Sequence, residues 1–132
     1  MKKRVVITGE GSISPLGHNT KSLWESLVKG NSGIDYISGF NTENFSVKIA
    51  GEVKSFEPIN FFDAKEARKL DRFTMFSLIA ASQALKSSNY NFSEAGVIVG
   101  TGVGGMHTLE EEHQKLLNKG QRGVYHHFMY QK

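Results

Sequence analysis

The sequence predicts an α/β fold, on three observations. Val5-Val6-Ile7 and Val97-Ile98-Val99 are short β-branched runs that lead into glycine, as strands buried on both faces do. The second run continues through a glycine turn into a helical apolar pattern from Met106 to Leu117, giving strand, turn and helix in succession. Between them, Leu70 to Leu85 is apolar around most of a helix circumference, the pattern of a helix enclosed by other layers rather than lying on a surface.

Taken in order, Arg4 to Thr8 reads as a first strand, stopped by Gly9-Glu10-Gly11. Pro15 and Gly17 keep the next stretch irregular, and Asn19 or Thr20 can cap a helix whose apolar stripe is Leu23, Trp24, Leu27 and Val28. Gly30 stands where a left-handed residue ends that helix. Residues 31–44 read as loop. Val47, Ile49 and Val53 alternate with Ser46, Lys48, Ala50 and Glu52, a strand with one wet face in which Gly51 marks a bulge. Asp63 and Glu66 have capping-box spacing and open a short polar helix through Lys69, ahead of the apolar helix. Ser87 to Ser93 is polar loop.

The totals describe one globular domain: 132 residues, 39% hydrophobic, 22% charged. A net charge of +3 does not call for nucleic acid, which usually demands a basic stripe or patch. No apolar run approaches the roughly 18 residues of a membrane span, and Lys2-Lys3-Arg4 is not followed by a signal-peptide core, so the expected location is the cytoplasm. Zero cysteines removes disulfides, thiolate metal sites and any cysteine nucleophile from these residues.

Gly100-x-Gly102-x-x-Gly105 has the dinucleotide-binding spacing, in which glycines let backbone amides approach a pyrophosphate. The context fails, because no acid and no second strand follow about 20 residues on. Glycines that admit a neighbouring backbone are the preferred reading, and no cofactor is expected. His107 and Glu111 form an i, i+4 pair, but two ligands on one helix are not a metal site; a solvated face accounts for them, and His113 shares the stripe of Met106, Leu109, Leu116 and Leu117 as a packed histidine. His126-His127 has no supporting pattern. Lys65, Glu66, Arg68, Lys69, Asp71 and Arg72 are the densest charge cluster, read equally as a solvated helix face or as a docking surface for an acidic partner.

Val5-Val6-Ile7-Thr8-Gly9, Ser14-Pro15-Leu16-Gly17, Trp24-Glu25, Ala50-Gly51-Glu52-Val53, Lys65 to Phe73 and Gly100 to Gly105 occur in the order and at the spacing of a known family. Together they resemble the N-terminal part of bacterial beta-ketoacyl-ACP synthase II enzymes, over nearly the whole chain but only about the first third of a family member. The resemblance implies a thiolase-like layered α/β/α/β/α body in a homodimer, with residues 1–132 as the N-terminal segment of its first half. It implies decarboxylative Claisen condensation, in which a cysteine takes the acyl group from acyl carrier protein and a malonyl thioester attacks it, assisted by two histidines and a lysine. None of those catalytic residues is assignable here. The resemblance carries over only accessory positions: Lys65, Arg68 and Lys69 for docking the acidic carrier protein, Val103 as the gate of the acyl pocket near the dimer interface, and Phe128 as a residue lining that pocket. After Arg122 the family's Ser-Pro-Phe-Phe type segment and a further proline give way to Tyr125 to Lys132, a departure expected of a truncated or frameshifted reading frame or of a fragment. Two other functions stand beside an inactive enzyme segment: a non-catalytic module that binds acyl carrier protein through its basic residues, and, remotely, a nucleotide-binding protein.

Overall fold

The computed structural model describes residues 3–89 and 93–121. The elements are α1 (Thr20–Val28), β1 (Ile34–Tyr36), β2 (Ile49–Gly51), a 3-10 turn at Pro58–Asn60, α2 (Ala64–Ala67), α3 (Arg72–Ser88) and α4 (Met106–Lys119).

Helix α1 starts where Asn19 Oδ1 accepts the Ser22 amide at 2.8 Å while Ser22 Oγ accepts the Asn19 amide at 3.3 Å, a reciprocal cap. It ends in a Schellman turn: Gly30, at φ +68°, donates to Leu27 O (3.0 Å) and Asn31 donates to Ser26 O (3.0 Å). The stripe predicted for this helix exists, but Trp24, Leu27 and Val28 remain exposed.

β1 and β2 pair antiparallel with Ile34 opposite Gly51 and Tyr36 opposite Ile49. The first of these strands lies inside the segment expected to be loop. A three-residue strand is too short to show a period of its own and exists through its partner. The ladder takes up only the middle of the alternating stretch 46–53, and Gly51 is an in-register member of it rather than a bulge. Beside the ladder the Glu52 carboxylate accepts the Ser38 amide and hydroxyl, both at 2.8 Å, and the Gly39 amide at 3.1 Å, tying down the chain that leaves β1.

The core gathers on α3. Phe56, Met75 and Ile79 are its buried residues, with Ile13, Val53, Phe62, Ala67, Leu70 and Phe76 packed around them. Met75, which the apolar pattern did not single out, is among the most buried. Leu78 and Leu85 are exposed, so among the described residues α3 is covered on one side only, not enclosed as expected. The covered side also receives residues 9–12. A Cβ at Gly9 would fall on Ala84 O and one at Gly11 on Ala80 O, so glycine is what allows this approach. The contact is fixed by Glu10 N donating to Ser87 Oγ (2.9 Å), Ser12 N to Gln83 Oε1 (3.1 Å), and Gln83 Nε2 to His18 O (2.7 Å).

The two runs expected to be central strands, at 4–8 and 97–99, belong to no strand among the described residues. Their side chains stand in the open, Ile7 92% and Ile98 98% exposed. β-branched composition marks a sequence that suits a ladder, but a strand forms only when another strand takes up its N–H and C=O groups.

Candidate functional site

Two neighbouring features carry the predicted site residues: the basic surface on α2 and the glycine turn before α4. Asp63 builds the first. Its Oδ1 accepts the amides of Lys65 and Glu66, both at 2.8 Å, and Ala67 N donates to Asp63 O at 2.8 Å, which holds a single helical turn of four residues. The Glu66 side chain returns no bond to the Asp63 amide, so the cap is one-sided. Arg68 closes the turn at φ −69°, ψ −14°, and Lys69 N donates to Glu66 O at 2.9 Å. Lys65 lies in this turn, Arg68 is its C-cap and Lys69 follows in the turn beyond, so the helix stops at Ala67, short of the expected Lys69, and all three side chains are exposed.

Asp71 and Arg72, counted with these charges in the sequence, are used otherwise. The Arg72 guanidinium lies over the rings of Phe56 (5.4 Å to the centroid) and Phe76 (5.1 Å), and its Nη2 donates to Val53 O. The Asp71 backbone carbonyl opens α3 by accepting Met75 N at 3.0 Å, while its carboxylate makes no cap bond to that helix. Oδ1 instead accepts the hydroxyl of Thr108 in the first turn of α4.

In the glycine turn, Gly104 takes φ +78° and donates to Thr101 Oγ1 at 3.1 Å; Gly105 then opens α4 with no side-chain cap. A Cβ at Gly105 would fall on the Asp71 carboxylate, and one at Gly104 would lie 3.9 Å from the Phe73 ring. The Asp71 carboxylate thus lies against the backbone of Gly105 at the start of α4, and a phosphate brought to this turn would meet a like charge. Val103 stands on this turn and is 73% exposed. A shallow cleft lined by Glu10, Thr20, Lys21, Trp24 and Ser87 includes none of the predicted residues. Phe128 and His126-His127 lie outside the described residues.

On α4, His107 Nε2 meets Glu111 Oε1 at 3.1 Å with both groups exposed, the solvated pair expected. His113 is exposed and not packed, and the stripe it shares with Met106, Leu109, Leu116 and Leu117 stays exposed with it, Leu117 most of all. No group of three or more His, Cys, Asp or Glu among the described residues is placed to hold a metal. No helix there is long and apolar enough to cross a membrane. The Asp71–Thr108 bond and the Arg72 stack escaped the sequence reading; Asp before a helix signals a cap, and nothing local reveals that its partner lies 37 residues away.

A family model described as beta-ketoacyl synthase, N-terminal domain, matches residues 2–131. The 3-oxoacyl-[acyl-carrier-protein] synthase 2 of Staphylococcus aureus (strain COL) is 46% identical over 127 residues, covering 92% of this chain and 31% of its own length. The enzyme of that name from Vibrio cholerae serotype O1 is 42% identical over 128 residues, 93% of this chain and 31% of its own. Among solved structures, the ishigamide ketosynthase/chain length factor superposes with a TM-score of 0.76 at 26% identity, over 92% of this chain and 32% of that one. A type II polyketide synthase acyl-carrier protein in complex with its ketosynthase bound to the hexaketide (AntDE:AntF) gives 0.74 at 25% identity, over 96% and 35%. The chain spans about a third of the length of the relatives it matches.

Proposed function

The chain belongs to the beta-ketoacyl synthase family, in its N-terminal domain, and from that premise we propose that it is the N-terminal segment of a fatty-acid chain-elongating beta-ketoacyl-ACP synthase. Its fold is α/β, the N-terminal portion of the thiolase-like fold of the ketosynthases it superposes on. The observation that carries the functional reading is the 46% identity to the 3-oxoacyl-[acyl-carrier-protein] synthase 2 of Staphylococcus aureus across 92% of these residues.

In the whole enzyme the reaction joins an acyl group held on a cysteine to the carbanion left when a malonyl thioester loses carbon dioxide. These 132 residues include no cysteine, so they supply no thiolate for the acyl transfer and are inactive alone. Their part is recognition. Lys65, Arg68 and Lys69 are three exposed positive side chains within five residues, suited to the acidic surface of acyl carrier protein. Val103, on the glycine turn, gates the acyl pocket, which other parts of the enzyme and Phe128 complete. A cytoplasmic homodimer is the assembly this reading carries with it.

Purified chain given acyl- and malonyl-carrier protein should yield no condensation product, and product would overturn the statement that it is inactive alone. An intact mass of the natural product showing a longer polypeptide would support the enzyme segment. A product of 132 residues that binds carrier protein would favour the second reading, a non-catalytic carrier-binding module, which the self-contained cap of α2 and these exposed cations also support. Reversing all three charges should abolish salt-sensitive carrier binding; no binding by the parent chain removes the docking surface.

A further inference from the structure

The basic surface and the glycine turn are joined by one side chain. Arg68 and Lys69 end the turn of α2, and Asp71 follows two residues later, its backbone beginning α3 and its carboxylate reaching across to α4. That carboxylate holds the Thr108 hydroxyl and stands against Gly105, leaving no room for a Cβ. The far side of the turn is set by Thr101 Oγ1 on Gly104 N (3.1 Å) and by the Phe73 ring beside Gly104. Val103 lies between these restraints and is exposed. Asp71 is the N-cap residue of α3 and Phe73 lies in its first turn, so the start of α3 contacts Gly104, Gly105 and Thr108 together.

We infer that Asp71, through Thr108, is a positioning residue that carries the docking of an acidic carrier protein at Arg68 and Lys69 to the turn bearing Val103, coupling carrier arrival to the setting of the acyl gate. This rests on the docking and acyl-gate readings above. An aspartate suits the task because only one methylene separates its carboxylate from the backbone, so backbone movement reaches the oxygen with little loss to rotamer freedom. Asp71 acts through Thr108 and Gly105 and is not assigned any contact with substrate.

The absence of cysteine makes a single-site reporter available. Gly102→Cys places a Cβ that meets nothing within 4 Å, so an environment-sensitive fluorophore can be attached there without displacing the turn. Carrier affinity is followed separately, by anisotropy of labelled carrier protein. On adding carrier protein to the labelled 132-residue chain, the reporter should change in step with binding. Thr108→Val, the same shape without the hydroxyl, should reduce that change at least fivefold with affinity held within about twofold, and Thr108→Ser should restore it. A reporter response equal in parent and Thr108→Val, or binding with no response in the parent, overturns the coupling while leaving docking intact. No binding by the parent overturns the docking surface, and the coupling with it.

Discussion

The guanidinium of Arg72 covers the ring of Phe56, 5.4 Å from its centroid, and the same ring meets Phe76 edge-on at 5.0 Å. A charge from the most charged stretch of the chain thereby covers a core whose buried members among the described residues are Phe56, Met75 and Ile79, and its bond to Val53 O fastens the segment after β2 to α3. A planar cation can stack and donate at once, whereas an ammonium cannot.

Arg72→Lys should therefore destabilise the chain by about 1 kcal/mol, since it keeps the charge and loses the stack. Arg72→Ala should cost about 2 kcal/mol, because the carbonyl bond and the ring cover go too. Urea midpoints of the two variants measure this; equal stability of Arg72→Lys and the parent would show that charge alone matters.

Gly11→Ala should cost about 2 kcal/mol, for its Cβ would strike the backbone carbonyl of Ala80, which cannot turn aside. Gly102→Ala, where a Cβ meets nothing, should stay within about 0.5 kcal/mol of the parent. Thermal melts of the pair separate glycine required for close approach from glycine merely present.

Glu52 is held below its ordinary value of 4.5, first by the Ser38 amide and then by the Ser38 hydroxyl. Asp35 is held below 3.8, first by its bond from Lys54 and then by the Tyr36 amide. A carboxyl group with a lower pKa folded than unfolded gives stability that is fully present above the unfolded value and is lost as pH falls through the folded one. Urea midpoints should accordingly be flat in these two contributions near neutrality and decline below about pH 4.5. Glu52→Gln should flatten that acid decline, and an unchanged slope would show the Ser38 turn forms without the charge. Lys115, raised above 10.5 first by its bond to Glu112, has the opposite sense: its contribution is present below 10.5 and is lost above the folded value.

Val103→Phe in a full-length synthase carrying this segment should shorten the acyl chains accepted, seen as a fall in kcat/KM that grows with chain length. Unchanged length preference would remove Val103 as the gate. The residue stands on an open turn, so the substitution tests the pocket rather than packing among these residues.

What was legible in the sequence is what neighbours in the chain decide. The caps at Asn19 and Asp63, the left-handed stop at Gly30 and the extents of α1 and α4 follow from contacts within a few residues, where one sequence is sufficient. The tertiary structure alone decided the rest. β1 forms because β2 offers a ladder, the runs at 4–8 and 97–99 stay unpaired because no described strand offers one, and α3 is covered on the side where Gly9 and Gly11 permit approach. Asp71 and Arg72 show the division most clearly. Sequence could count their charges, but their partners, Thr108 across 37 residues and two aromatic rings, are brought to them only by folding.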